Sequence, residues 1–342
     1  MKKAWYGIKM KNVSFLMILA IFAVGCSENA AVNNLPAMND YSEEQNAVLE
    51  RFEWLGFDPS ILRTERITED LAVVFGYGGN VLVSVGEDGV LIVDSQFPEV
   101  HGALLSEISK LGGDSVDYVI STHFHFDHAE GNRAFGPLGA DIIAHKNSMA
   151  YFEEGANIDM VSLVWPQQPY EKEALPKLTY SEEMALNFNG HTIEIRNYGP
   201  AHTSGDSFIY FRESNVIHMG DVANLTGLPF IDAGNGGSVD GMIYSVKKVL
   251  SVIDENTVVV PGHGEISRKE DLEVYVAKME LVRNRVASMI EEGLSHEEVL
   301  ELDPGAEIFP SSAFDSGFGI PPSQVFVDRA YVSMKKMKNN GR

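Results

Sequence analysis

Three histidines and an aspartate fall within six residues, His123-Phe124-His125-Phe126-Asp127-His128. They follow a short β-type run, Val116 to Ser121, and precede Ala129-Glu130-Gly131, where a helix can begin. On an extended segment alternate side chains share a face, so His123, His125 and Asp127 are expected to converge. A turn into the helix then brings His128 in from the other side. Imidazole and carboxylate suit Zn²⁺ and similar borderline cations, and a tetrahedral site needs about four such ligands. A chance cluster of surface histidines accounts poorly for this density, and the stretch reads as a metal site.

The elements that must position it are legible on both sides. Leu71 to Phe75, Asn80 to Val85 and Val90 to Val93 are β-rich runs, so the sheet is expected to begin near Leu71. They are punctuated by Gly76-Tyr77-Gly78-Gly79, read as a turn or a mobile flap, and by a hairpin turn at Gly86-Glu87-Asp88-Gly89. The first punctuation lacks the lysine of a phosphate loop, which argues against nucleotide binding. Pro98 opens a helix with Val100, Leu104, Leu105 and Ile108 inward, closed by Gly112-Gly113. Ala140 to Ala144 is a further strand and His145 to Glu153 a helix, followed by a long irregular stretch, Gly155 to Lys177, of the kind that forms lids or substrate walls.

The pattern then repeats loosely. Met184 to Phe188 and Thr192 to Arg196 flank the hairpin signal Asn189-Gly190, and Ser207 to Phe211, Val216 to Met219 and Thr257 to Val260 are strands around a helix from Val239 to Val252. Two successive blocks of strands and helices predict an α/β fold with four αββα layers. Beyond it, Ser267 to Glu270 reads as a capping box opening a long helix with the inward stripe Leu272, Tyr275, Val276, Met279, Val282, Val286 and Ile290. A second box at Ser295 to Glu298 and a last helix from Pro322 to Met337 make a helical C-terminal extension.

Composition bounds the function. The 342 residues are 44% hydrophobic, enough for a sizeable core, and carry a formal charge of −23. Such a surface repels phosphate backbones, so nucleic acid is not the expected partner and a small molecule is. Lys2, Lys3, Lys9 and Lys11 precede an apolar run, Val13 to Val24, too short for a membrane span of about 20 residues. The run stops at Ala23-Val24-Gly25-Cys26, which resembles a bacterial lipoprotein lipobox. That resemblance implies a signal peptide over 1–25, lipidation of Cys26 and a domain held at the cell envelope, facing the periplasm and touching membrane only through its lipid. Cys26 is the sole cysteine, so no disulfide forms and no thiolate serves the metal. Residues 26–52 read as a tether and short helix, with Val48, Leu49, Phe52 and Leu55 as the apolar face of a segment running from Tyr41 to Phe57.

Three more loops place a histidine or aspartate just beyond a strand: Gly199-Pro200-Ala201-His202-Thr203-Ser204-Gly205-Asp206, His218-Met219-Gly220-Asp221 and Pro261-Gly262-His263-Gly264. With the histidine-rich motif, this set resembles the metallo-β-lactamase superfamily over roughly residues 67 to 267. The resemblance implies that His123, His125 and His202 hold one metal, that Asp127, His128 and His263 hold a second, and that Asp221 bridges them. Two Zn²⁺ per chain follow, with Asp127 and His128 as the catalytic pair and Asp127 orienting the nucleophile. Asp94 takes the place of an aspartate that steadies metal-bound imidazole, and Thr203 and Asp206 brace the His202 loop. The remaining histidines, His101, His145, His191 and His296, fall outside any motif, and His218 sits in the strand before Asp221. The superfamily-like domain spans 53–293 and the extension 294–342.

The implied chemistry is hydrolysis of a cyclic amide or ester, a β-lactam or lactone, by hydroxide generated on the metals. Asp221 stands where the best-known β-lactamases of this superfamily carry a cysteine, which favours esters over lactams. His125 stands where its di-iron proteins carry a glutamate, which disfavours redox chemistry. The competing readings are a thioesterase resembling glyoxalase II, a mononuclear-iron sulfur dioxygenase and a non-catalytic metal- or cofactor-handling accessory protein.

Overall fold

The computed structural model describes residues 41–54, 56–226, 229–309 and 319–339. The lipobox-like stretch, Cys26 and Leu55 lie outside the described residues. Among the described residues no helix is long and apolar enough to cross a membrane.

In chain order the elements are α1 (Glu43–Arg51), β1 (Arg63–Arg66), β2 (Leu71–Phe75), β3 (Val81–Gly86), β4 (Gly89–Val93), α2 (His101–Lys110) and β5 (Tyr118–Ile120). The one-turn helices α3 (Phe126–Ala129) and α4 (Asn132–Phe135) follow, then β6 (Asp141–His145), α5 (Lys146–Glu154), β7 (Ala156–Asp159), β8 (Val164–Gln167) and β9 (Leu178–Tyr180). The second half holds β10 (Glu183–Phe188), β11 (His191–Arg196), β12 (Phe208–Phe211), β13 (Val216–His218), α6 (Val239–Leu250), β14 (Val258–Val260), α7 (Lys269–Glu291), α8 (His296–Leu302) and α9 (Pro322–Asn339).

Two sheets carry the fold, one in the order β1-β2-β3-β4-β5-β6-β9 and one in the order β10-β11-β12-β13-β14. Leu71, Val73, Leu91 and Ile120 of the first meet Ile193, Ile195, Ile209 and Val260 of the second in an apolar layer between the sheets. Leu104 and Ile108 of α2 cover the far face of the first sheet, on Val83, Ile92 and Val119. Met242 and Val246 of α6, Leu272 and Met279 of α7, and Phe326 of α9 pack together with Ile217 and Val259 on the far face of the second. The expected αββα layering with a helical extension is the observed architecture. Strands β2, β4 and β14 are rich in β-branched residues and buried on both faces, as the middle of such a sandwich requires.

Local chemistry explains most boundaries. Asn189 and Gly190 both take positive φ (51° and 78°), the left-handed pair that a two-residue hairpin needs between β10 and β11. Burial on α7 falls on the seven residues of the expected stripe, Leu272 to Ile290. The capping box on α8 forms as read, Ser295 accepting from the Glu298 amide.

Other expectations need correction. The sheet starts earlier than Leu71: β1 is an exposed edge strand of sequence Arg-Thr-Glu-Arg, whose charge hides it from a hydrophobicity pattern but suits an edge. The cap of α7 sits one residue later than Ser267. Arg268 is the N-cap and its amide donates to Asp271, while Ser267 pairs with Val259 in an isolated bridge. The stretch from Gly155 to Lys177 is not irregular throughout, because β7 and β8 pair as an antiparallel hairpin. Helix α1 stops at Arg51, leaving Phe52 outside it.

Candidate metal centre

Strand direction brings the candidate residues to one edge. In the first sheet β4, β5 and β6 run parallel, and in the second β13 and β14 do. β11 and β13 are each antiparallel to β12 and therefore point the same way as one another. Asp94 follows β4, the histidine motif follows β5, His202 follows β11, Asp221 follows β13 and His263 follows β14. All five loops leave the carboxyl ends of their strands, where open α/β sheets place ligands.

The motif converges by a different route from the extended register read in the sequence. β5 ends at Ile120, and α3 already begins at Phe126 with His125 as its N-cap. Asp127 and His128 therefore come from the first turn of a helix, while His123 and His125 come from the loop before it. His123, His125 and His202 form one group of convergent ligand atoms, Asp127, His128 and His263 another, and His123, His128 and Asp221 a third that links them. Within each group the atoms lie within 4.8 Å of one another, and all seven residues are buried.

The outer hydrogen bonds dictate which imidazole nitrogen faces inward. His202 Nδ1 lies 2.8 Å from the Phe230 carbonyl, which can only accept, so Nδ1 carries the proton and Nε2 is a lone pair. His125 Nε2 lies 2.9 Å from the Asp232 carboxylate, so its inward Nδ1 is a lone pair too, 3.0 Å from His202 Nε2. Asp94 accepts from both the amide and the hydroxyl of Thr122, leaving Thr122 Oγ1 to accept from His123 Nδ1. That turns His123 Nε2 inward as a lone pair with no partner, and Asp221 Oδ1 likewise has none of acceptable geometry. Asp94 also receives His128 Nδ1 at 2.7 Å, aiming Nε2 at His263 Nε2, 3.2 Å away, and at Asp221 Oδ1, 3.0 Å away. Lone pairs and carboxylate oxygens facing one another in a buried space repel unless cations lie among them. The residues present fit divalent metal.

Electrostatics agree. Burial lowers the His123 pKa well below the ordinary value, and the neighbouring imidazoles of His128, His202 and His125 lower it further. Burial also pushes against the charge of Asp221, yet the imidazoles of His263, His128 and His202 outweigh it and hold the carboxyl well below its usual range. His128 goes the other way. Burial would lower it, but the carboxylates of Asp221, Asp127 and Asp94 raise it well above the usual range, so this ring sits in the most negative part of the site. Burial lifts the Asp206 carboxyl to about 6, and it accepts from the amide and hydroxyl of Thr203, bracing the His202 loop.

The remaining histidines are tied elsewhere: His101 to the Pro98 carbonyl, His145 to that of Ser181, His191 to Asp70 and His296 to Asp328. His218 bridges the Asn80 carbonyl and the Gly220 amide behind the Asp221 loop. Asp232 was not among the sequence candidates, because Pro229-Phe230-Ile231-Asp232 carries no metal-ligand spacing. Asn80 was missed for the same reason; its side chain bonds the Pro261 and Gly264 carbonyls and fixes the His263 loop. Gly76 to Gly79 is no flap. The Gly79 amide donates to the Asp127 carbonyl, and Gln96 donates to the Gly79 carbonyl, packing this turn against the motif.

A family model described as the metallo-beta-lactamase superfamily matches residues 74–263. A probable metallo-hydrolase of Methanocaldococcus jannaschii is 25% identical over 56% of this chain and 90% of its own length. A probable hydroxyacylglutathione hydrolase of Schizosaccharomyces pombe is 28% identical over 50% of the chain and 57% of its own length. The alpha subunit of a 2,4-dinitroanisole O-demethylase of Nocardioides sp. is 24% identical over 64% and 62%. The chain thus spans about three fifths of the length of these last two relatives. In fold it is similar to a metallo-beta-lactamase from Pontibacter korlensis (TM-score 0.53, 15% identity) and to the DIM-1 metallo-beta-lactamase (TM-score 0.52, 21% identity), covering 64% of this chain and 99% and 97% of theirs.

Proposed function

The chain belongs to the metallo-β-lactamase superfamily and is a metal-dependent hydrolase, and from that premise we propose that it is a dinuclear zinc enzyme cleaving esters, lactones or thioesters in preference to β-lactams. The observation that carries the metal count is charge. Asp127 and Asp221 lie among the inward imidazoles, and Asp94 and Asp232 back them, all four buried. Two divalent cations offset four carboxylates; one would leave a buried excess of negative charge, which is costly. Neutral imidazole with carboxylate suits zinc and other borderline divalent cations, and zinc is the cation proposed.

When bound, such cations polarise a scissile carbonyl and bring the pKa of water toward about 7. The chain's own residues supply the rest. Asp94 and the Phe230 carbonyl lock the ring orientations of His128 and His202, so the lone pairs stay aimed without reorganisation during turnover. Asp127, 3.1 Å from His263 Nε2 and lining the cavity, is placed to hold a proton of the attacking water. Asp221 puts negative charge where an amide-nitrogen leaving group would need stabilisation, whereas an ester oxygen or thiolate leaves with less help. This favours esters and thioesters over lactams.

Elemental analysis and a substrate panel test the reading. Replete protein should carry about two zinc ions per chain. On a γ-lactone, a phenyl ester, a glutathione thioester, a cephalosporin and a carbapenem, kcat/KM should be lowest for the two lactams. One iron and no zinc would move the assignment to a dioxygenase. A lactam winning by more than about tenfold, roughly 1.4 kcal/mol, would overturn the Asp221 argument.

Asp232→Ala should weaken zinc binding about 10- to 100-fold, because His125 is then free to present the wrong tautomer. Chelator competition reads this directly, and unchanged affinity would reduce Asp232 to a brace for the Asn235 turn. The location at the cell envelope through a lipidated Cys26 remains a proposal from the lipobox-like triplet; intact mass of the mature N-terminus without acyl chains would remove it.

A further inference from the structure

A cavity opens onto the candidate ligands, with His125, Asp127, Asp221 and His263 at its floor. Its walls are apolar apart from the neutral amide of Asn224: Phe52, Trp54, Phe126, Ile158, Met160 and Phe230. Phe52 and Trp54 precede the family-matched residues, and their rings stack at 5.0 Å. Trp54 in turn meets Phe97 and Phe126 edge-on, so it is fixed from behind. Ile158 lies in β7 and Met160 in the turn after it, so the hairpin expected to be irregular forms part of the wall.

No lysine or arginine lines this cavity among the described residues. The internal stretches outside the description, residues 55, 227–228 and 310–318, contain neither in sequence. Three basic residues near these walls are committed elsewhere. Arg133 pairs with Glu171 and lies over the Tyr170 ring, Arg329 pairs with Asp328 and Asp159, and Lys336 donates to the Ala233 carbonyl. Two bound divalent cations would bring Asp94, Asp127, Asp221 and Asp232 only to neutrality. The chain as a whole is at −23, which raises the potential against any approaching anion.

We infer that the site takes an uncharged substrate with an apolar aryl or alkyl group, and discriminates against substrates bearing a carboxylate near the scissile bond, glutathione thioesters and β-lactams among them. The apolar group gains by leaving water for the Phe52, Trp54, Ile158, Met160 and Phe230 walls. A carboxylate placed there loses its hydration and meets no lysine or arginine among the described residues. The inference deepens the hydrolase reading and rests on it for turnover, but the cavity's preference can be measured without metal.

Two matched pairs test it. Calorimetric titration of the metal-free protein with 2-naphthamide and 2-naphthoate, equal in shape and different in charge, should show the amide binding at least about tenfold more tightly. Phe52→Lys, at a partly exposed wall position, should shrink that ratio to about threefold or less. On the zinc-loaded protein, kcat/KM for 4-carbamoylphenyl butyrate should exceed that for 4-carboxyphenyl butyrate by at least about tenfold. Equal or tighter binding of naphthoate, or equal turnover of the two esters, overturns the inference. If neither ester is turned over while the naphthamide preference holds, the hydrolase reading fails and the cavity's selectivity stands.

Discussion

Gly79→Ala should cost the protein the second of the two metals proposed for it, and much of its stability. A Cβ at this position would lie 2.1 Å from His128 Cε1 and 2.3 Å from Nδ1, well inside contact distance. Neither partner can yield. The His128 ring is held by Asp94 on one side and packs against the His123 ring, 4.3 Å away, on another. The Gly79 backbone is fixed by its amide bond to the Asp127 carbonyl and by the Gln96 side chain, and the next amide, of Asn80, donates to the Gly262 carbonyl. Overpacking a site that cannot relax costs about 3 kcal/mol. Displacing His128 should drop zinc from about two ions per chain to about one and turnover by at least about a hundredfold. Urea denaturation of the metal-free protein and elemental analysis of the replete protein read the two effects. Gly102→Ala is the control. It lies in α2 with nothing within 4 Å of an added Cβ, and should be neutral or stabilise by about 0.5–1 kcal/mol. A Gly79 variant that behaves like the Gly102 control would show that the turn is free to move away from the motif.

This contrast also marks what the sequence can carry. Gly76 to Gly79 is plain as punctuation between two strands, but nothing in a one-dimensional pattern says that Gly78 and Gly79 press on Asp127 and His128. Only the backbone path shows it. The strands and the α7 stripe were legible because their periodicity is dictated by burial, and the two-sheet layering followed from their order. The edge strand β1 was not, because an edge is charged and so carries no apolar signal. The His123–His128 motif was legible because metal chemistry restricts residue type and spacing, whereas His202, Asp221 and His263 were reached through the superfamily resemblance; the fold brings all seven together in convergent groups. Asp232, Asn80 and the Phe230 carbonyl were not. They act through hydrogen bonds to rings or loops far away in the chain, and a single aspartate, asparagine or backbone carbonyl in a loop has no spacing to betray it. Phe52 was read as part of an inward helical face. The helix ends one residue earlier, and the ring became a cavity wall instead.

Asp221→Asn should be the most damaging conservative change in the molecule. The substitution keeps volume and planarity and removes one negative charge. Asp221 is the carboxylate that reaches both sets of imidazoles: Oδ1 lies 3.0 Å from His128 Nε2 and 3.5 Å from His263 Nε2, and Oδ2 lies 3.9 Å from His202 Nε2. The site cannot rearrange around a change here, because a Cβ on the neighbouring Gly262 would fall 2.0 Å from Asp221 Oδ1. An amide NH₂ in place of Oδ1 would donate to the inward lone pair of His128, occupying with a hydrogen bond the direction that a cation needs. Asp221, unlike Asp94, belongs to the convergent group that links the other two, so its loss removes the charge that would face both cations. Zinc should therefore fall to about one ion per chain, and kcat/KM on a preferred ester should fall about a thousandfold, roughly 4 kcal/mol of transition-state stabilisation. The fold should survive, since Asp221 is not part of the apolar layers on either side of the sheets, and far-ultraviolet circular dichroism of the metal-free variant checks this. Asp94→Asn makes the useful comparison. Its carboxylate serves Thr122 and His128 but belongs to none of the convergent ligand groups, so its loss should weaken zinc affinity about 10- to 100-fold without lowering the stoichiometry at saturating metal. Two zinc ions and near-normal turnover in Asp221→Asn would mean that the paired groups hold their cations independently, and the bridging role would have to be abandoned.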